Sequence, residues 1–390
     1  MANKKLNLDK IEKKVIKSKN KSTSSSYDTY YIGLGGTGNN LLHELSKNGN
    51  LIDNPEKQAY YVNFSKTDLS SSFKGKKLLL HSRNGEGTGK SLEKGKEIVK
   101  ENLKNITEFC EFIYKNGYRE DLSEKRLIII SSLGGGTGSS LLPVFLDYFS
   151  EFSNIKITFF GIVSSRSEGV TTLPNALRNF ESVYNNYALT NKLNSVVLLD
   201  NEIFEAEEAF DYSYINSEMR KVIENILDTG FSEKSSEGMQ ALDLNEKKRV
   251  MYFGKGLTDY FEKEISLKNK DEFEFISKIM NHKFDLKKGK AVSALFEIRE
   301  KHDNFSEIMR KETIKIINKI KKTVPDAFFV FGYTFDNKLL PKTADFRVSV
   351  TVNGLEFPKT IEKDVKKAAG SVEKIKRVNN SLQIEDDLSF

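Results

Sequence analysis

The chain has 390 residues, 38% of them hydrophobic and 30% charged, enough for two domains with cores of their own. A single cysteine excludes an internal disulfide, and four scattered histidines offer no metal-ligand spacing. The formal net charge of +6 arises wholly in residues 1–21, where eight lysines face Asp9 and Glu12; the rest balances at 53 basic and 53 acidic side chains, which excludes a general polyanion binder in the body. In that basic arm Leu8, Ile11 and Val15 fall at helical spacing, so a short amphipathic helix docked on the body is expected, followed by a Ser-rich linker. No apolar run approaches the roughly 18 residues of a membrane span, and the first ten residues lack an apolar leader core. A cytoplasmic protein with no direct membrane contact is therefore expected.

Tyr27 to Leu34 reads as a strand that enters Gly33-Leu34-Gly35-Gly36-Thr37-Gly38-Asn39-Asn40 and then an apolar helix from Leu41. Alone, that glycine spacing is weak and suits a dinucleotide fingerprint, but such a site wants an acidic residue closing the second strand. The second strand, Ala59 to Phe64, ends in Asn63, Phe64 and Ser65, and Asp68 arrives late, as a loop carboxylate. Leu78 to Leu80 then leads into Asn84-Gly85-Glu86-Gly87-Thr88-Gly89-Lys90-Ser91. This run imitates a Walker A loop, yet Asn84 occupies the position of the required first glycine and the strand before it is short.

The most informative stretch runs from Arg126 to Asp147. Leu127 to Ile130 is a β-branched apolar run, as in a strand buried on both faces. Gly134, Gly135, Gly136, Thr137, Gly138, Ser139 and Ser140 follow, and then a helical apolar pattern. Glycines let the backbone approach an anion closely, and a helix start adds unpaired N–H groups and the positive end of its dipole. Strand, loop and helix in this order predict a phosphate site.

That loop resembles the G-G-G-T-G-S-G signature of the FtsZ/tubulin GTPase superfamily, with Ser140 replacing the last glycine. The resemblance implies an α/β fold: a Rossmann-like GTPase domain with a parallel sheet over 27–230, a long central helix at about 207–230, and a smaller α+β C-terminal domain over 251–357. It also implies GTP or GDP with Mg²⁺ as ligands. By the same resemblance the first loop contributes Gly35, Gly36, Thr37 and Asn40, and a third loop covering the γ-phosphate contributes Gly87, Thr88 and Gly89. Lys90 departs from the family pattern; it either adds charge near the phosphates or faces water.

Ile155 to Val163 is a further buried strand, and the resemblance implies that Glu168 and Arg178 after it are candidates for ribose and phosphate contacts. Val196 to Leu199 is the next strand, running into Asp200-Asn201-Glu202, similar to a tubulin segment whose Asn meets the guanine edge. Tyr212 and Asn216 stand four residues apart on one helix face, the family's spacing for an aromatic that stacks on the base and an Asn that hydrogen-bonds it. Carboxamides at Asn201 and Asn216 offer donor and acceptor together, which suits guanine and mispairs with adenine. Met219, Val222, Ile223 and Ile226 further along that helix read as core.

The loop over 231–250 contains Asp243 and Glu246 where relatives carry catalytic acids, with Ala241 replacing an Asn. In the family this loop completes the nucleotide site of the next subunit, so the implied first partner is a second copy of the chain in a head-to-tail filament. Helical patterns are expected from Glu246 to about Asn281, and strands at Ala327 to Thr334 and Arg347 to Phe357. Residues 361–379 return to helical period, and an acidic tail follows to residue 390. This terminal arrangement is nearest the TubZ/PhuZ branch, which implies plasmid or phage DNA segregation through a TubR-like DNA-binding adaptor. An FtsZ-like division protein and a non-polymerising nucleotide-binding protein are the alternatives.

Overall fold

The computed structural model describes residues 29–47, 51–81, 87–117, 124–164, 172–201, 212–231, 244–253, 255–266, 285–298, 305–335 and 344–357. The expected N-terminal arm, Glu168, Asp243 with Ala241, and the terminal helix and tail lie outside them.

Six parallel strands form the first half of the sheet: β1 (Thr29–Leu34), β2 (Ala59–Asn63), β3 (Lys76–Leu79), β4 (Lys125–Ser132), β5 (Ile155–Val163) and β6 (Ser195–Asp200), in the order β3-β2-β1-β4-β5-β6. Every residue of β1 and β2 is buried, as expected of strands covered on both faces. Helices α1 (Gly35–Lys47) and α7 (Tyr212–Phe231) cover one face, where Leu41, Leu42 and Leu45 share a core with Ile215, Met219 and Ile223. Each such buried side chain contributes about 1.5–3 kcal/mol. A short helix, α2 (Pro55–Gln58), precedes β2. On the other face lie α3 (Leu92–Glu101), α4 (Leu103–Gly117), α5 (Gly136–Phe149) and α6 (Thr172–Val183), the last continuing into a π-helical turn over Tyr184–Ala188. The long helix expected at about 207–230 is α7, described from Tyr212.

The sheet continues through β7 (Leu257–Ile265), β8 (Ala291–Ile298), β9 (Phe328–Phe335) and β10 (Phe346–Leu355), in the order β7-β10-β8-β9. β10 runs antiparallel to both β7 and β8, while β8 and β9 are parallel. One register pair, Val197↔Thr258, joins this part to β6. Helix α8 (Leu244–Tyr252) precedes β7, and α9 (Phe305–Thr323) connects β8 to β9. Helical structure beyond Glu246 is thus confined, among the described residues up to 281, to α8; β7 corrects the expectation. Its buried apolar residues Leu257, Phe261 and Ile265 repeat every four positions, a spacing compatible with one helix face and with one strand face. Cross-strand pairing with β10 decides for the strand.

Opposite charges stitch this second part together. Arg347 on β10 reaches Glu264 on β7 (2.7 Å), Glu262 on β7 (3.4 Å) and Glu297 on β8 (3.3 Å). Glu262 also accepts from Asn225 on α7 (2.8 Å) and from the Tyr260 hydroxyl (2.5 Å), so the long helix is tied to the second group of strands. Among the described residues no helix is long and apolar enough to cross a membrane.

Candidate nucleotide-binding site

The strand order reverses between β1 and β4, so their chains leave the sheet in opposite directions and open a crevice at its C-terminal edge. The two loops that leave there are the two most glycine-rich. Gly35, at φ +73°, turns β1 into α1 in a conformation that L side chains avoid. The loops also touch: a Cβ on Gly35 would lie 3.0 Å from the Gly138 amide nitrogen. Helices α1 and α5 therefore start side by side. The N-cap of α5, Gly135, carries no side chain to satisfy its first amides, which leaves them for an anion.

These helix starts line a cavity of about 340 Å³. Its walls hold Gly35, Gly36 and Thr37 from the first loop, Gly134 to Gly138 from the signature loop, and Gly87, Thr88, Gly89 and Lys90 from the loop after β3. Thus the G-T-G-K run, which imitates a P-loop in sequence, faces the other two glycine loops across one cavity. Packing is tight there: a Cβ on Gly136 would meet the Thr88 hydroxyl at 2.4 Å. Helix α6 holds two of the loops from behind, with Asn175 Nδ2 donating to the Lys90 carbonyl (3.3 Å) and Asn179 Nδ2 to the Leu133 carbonyl (2.8 Å).

Asp68, a mere loop carboxylate by sequence, lines the cavity together with Ser65. The Asn63 side-chain oxygen accepts from the amides of Phe64 and Ser65, an Asx turn that folds the chain back, and Asn63 Nδ2 lies 3.5 Å from Asp68 Oδ2. The Asx turn was the available signal: Asn at a strand end curls the next residues toward the strand's own edge. Ser132, Ser164 and Thr172 also line the cavity and carried no sequence signal of their own.

Other expected contacts fall outside the lining. Ser139 is buried with its hydroxyl donating to the Leu133 carbonyl (2.8 Å), so it braces the loop from within. Ser140, in place of the family's glycine, donates to the carbonyls of Gly136 (2.6 Å) and Leu92 (3.4 Å) and so joins α5 to α3. Asn40 is exposed on α1, whereas its neighbour Asn39 is buried and donates to the Val62 carbonyl (3.2 Å), pinning α1 to β2. Arg178 is exposed on α6. Asn201 is buried directly after β6, while Tyr212, 56% exposed, and half-buried Asn216 sit on the first turns of α7, the helix packed on α1. Glu246 lies in the first turn of α8, away from the cavity lining.

Residues 29–206 match the family model described as Tubulin/FtsZ family, GTPase domain. Curated proteins give no match. Among solved structures, TubZ of Bacillus thuringiensis serovar israelensis in a GTPγS-form protofilament superposes with a TM-score of 0.72 at 13% identity, over 93% of this chain and 96% of that one. CetZ2 from Haloferax volcanii in a GTPγS-bound protofilament gives 0.66 at 19% identity, over 90% and 100%. An empty FtsZ dimer from M. jannaschii gives 0.59 at 19% identity, over 91% and 97%. At these identities the likeness is one of fold, and it extends over nearly the whole chain. The glycine loops and the parallel strands described above fall within residues 29–206, the part of the chain that is similar to the Tubulin/FtsZ GTPase domain.

Proposed function

We propose that the protein binds GTP in the glycine-lined cavity, assembles head to tail, and hydrolyses GTP where one subunit's nucleotide meets the next subunit. The observation that carries this reading is the separation of the two halves of the chemistry. The phosphate cavity opens at the C-terminal ends of β4 and β5, through Ser132 and Ser164. Tyr252, at the end of α8, instead lines a second cavity with Ile155 and Asn194, at the starts of β5 and β6. Helix α7, 20 residues and so about 30 Å long, spans between these edges. Glu246, in the first turn of α8, is outside the lining of its own subunit's cavity and would suit the nucleotide of a stacked neighbour. A contact of this kind, between unlike faces, repeats without closing and makes filaments.

The amides at the starts of α1 and α5 would hold the α- and β-phosphates in the cavity, with Asn40 following the first loop, and Tyr212, Asn216 and Asn201, outside the cavity lining, would frame the guanine. Glu168 and Arg178 would reach the ribose and phosphates. The Asp68 carboxylate, with the Ser65 hydroxyl beside it in the wall, is a hard-oxygen set that fits Mg²⁺, an ion that takes one or two carboxylates and completes its shell with phosphate and water. When bound, that ion would neutralise charge developing on the transferred phosphate. Asp243 and Glu246 of the neighbour would orient the attacking water. The near-zero charge outside the arm favours contact with DNA through an adaptor, as in plasmid segregation in the cytoplasm, over direct binding.

Sedimentation tests the assembly reading: GTP with Mg²⁺ is expected to bring the protein into the pellet, and ATP or no nucleotide to leave it in solution. Equal pelleting in all three would overturn assembly under GTP control. Asp68→Ala is expected to weaken Mg²⁺-dependent GTP binding about tenfold, near 1.4 kcal/mol, with little effect on binding in EDTA. An equal loss with and without the ion would remove Asp68 from the metal site.

A further inference from the structure

The run Gly87-Thr88-Gly89-Lys90-Ser91 fails as a P-loop in structure as well as in sequence. Its strand, β3, is half exposed, and Lys90 precedes the helix instead of standing in its first turn: Ser91 is the N-cap of α3, accepting from the Lys94 amide (3.2 Å). Even so, the backbone at Lys90 is closely specified. Gly89 and Lys90 are consecutive left-handed residues, at φ +57° and +66°. Glycine adopts that conformation freely; a lysine there is strained, and such strain persists where the surroundings fix it. Here Asn175 fixes it by donating to the Lys90 carbonyl.

The result is a lysine on the wall of the phosphate cavity. Among the described residues that line the cavity, only Asp68 and Lys90 carry charge. Their loops follow β2 and β3, whereas Asn201 follows β6 at the opposite end of the parallel strands. A nucleotide with its base near Asn201 and α7 and its phosphates at the starts of α1 and α5 therefore ends between Asp68 and Lys90. With Asp68 turned to a divalent cation, Lys90 would be the cationic side chain of the cavity wall at the end where the last phosphate lies. A triphosphate carries more negative charge at that point than a diphosphate.

On the nucleotide reading above, we infer that Lys90 is a specificity-determining residue: its ammonium group makes the site prefer nucleoside triphosphate over diphosphate. Lys90→Gly is the informative variant, because it removes the charge and relaxes the left-handed backbone, so the loop keeps its path. GTPγS and GDP are titrated, with Mg²⁺, into dilute nucleotide-free full-length protein at low and high salt. Lys90→Gly is expected to lose about tenfold in GTPγS affinity and less than about twofold in GDP affinity. The wild-type preference for GTPγS is expected to shrink with salt, and that of Lys90→Gly to be nearly salt-independent. Lys90→Arg is expected to recover most of the preference. Equal losses for both nucleotides in Lys90→Gly, or an unchanged preference, would overturn the assignment while leaving the nucleotide reading intact. Failure of the wild type to bind either nucleotide would overturn both.

Discussion

Glu246→Ala is expected to bind GTP as tightly as the wild type and to release phosphate at least about 100-fold more slowly, with filaments that persist correspondingly longer. The size follows from the chemistry. A side chain that orients or deprotonates the attacking water typically contributes about 10²–10⁴-fold, and phosphoryl transfer depends almost wholly on positioning and charge. The unchanged binding follows from geometry, since α8 lies away from the lining of its own cavity. Mixing provides the sharper measurement. In copolymers with an excess of wild type, a Glu246→Ala subunit still offers a functional pocket to a wild-type neighbour, so phosphate release from its own nucleotide should recover. A variant whose nucleotide turns over slowly whatever stands next to it would place Glu246 in its own site and remove the shared-site account.

Gly38→Ala is expected to be among the most damaging single substitutions in the parallel sheet. A Cβ at Gly38 would stand 2.2 Å from the carbonyl oxygen of Ile130, a backbone atom in the middle of β4 with no freedom to retreat. Overpacking of this kind typically costs about 1–3 kcal/mol, and here the strain falls where α1 crosses the switch point of the sheet. Both the denaturation midpoint and GTP affinity should fall, because α1 carries the first phosphate loop. Gly135→Ala is the control: its nearest neighbour would be the Ser132 hydroxyl at 3.9 Å, so stability should change by less than about 1 kcal/mol. Equal denaturation midpoints for the two variants would show that close approach at Gly38 is not what holds α1 in place.

The glycine loops that line the cavity were legible in the sequence because the information is local. Gly134 to Gly138 sit between a buried β-branched run and a helix, and nothing distant is needed to see what such a turn presents. Asp68 was harder, since its place in the wall depends on the Asx turn at Asn63, which brings it back against α1. Lys90 was ambiguous for a related reason: the path of the chain there depends on backbone dihedrals that a G-K dipeptide does not reveal, and the left-handed pair at Gly89 and Lys90 puts both residues in the cavity wall. The Ser139 hydroxyl was not placed by the sequence, because a hydroxyl in such a loop serves equally well as an internal brace. In the second half, β7 was concealed by an apolar repeat of four, and β8 was not anticipated although the turn from Asp285 to Gly289 stands directly before it.

The junction at Val197 and Thr258 has a mechanical meaning. A single backbone rung connects ten strands that otherwise form two separate ladders, and Thr258 sits at the crossing, its hydroxyl 2.7 Å from that of Ser195 and 3.1 Å from Asn353 Nδ2. Ladders resist shear through many rungs in parallel; one rung resists translation but leaves rotation about itself almost free. Whatever limits that swivel must be side-chain packing, as where Val196 and Leu257 share one core, and the Glu262 tether to α7. Torque applied to the far strands would therefore reach the glycine-lined cavity through α7 and this packing more than through the backbone ladder.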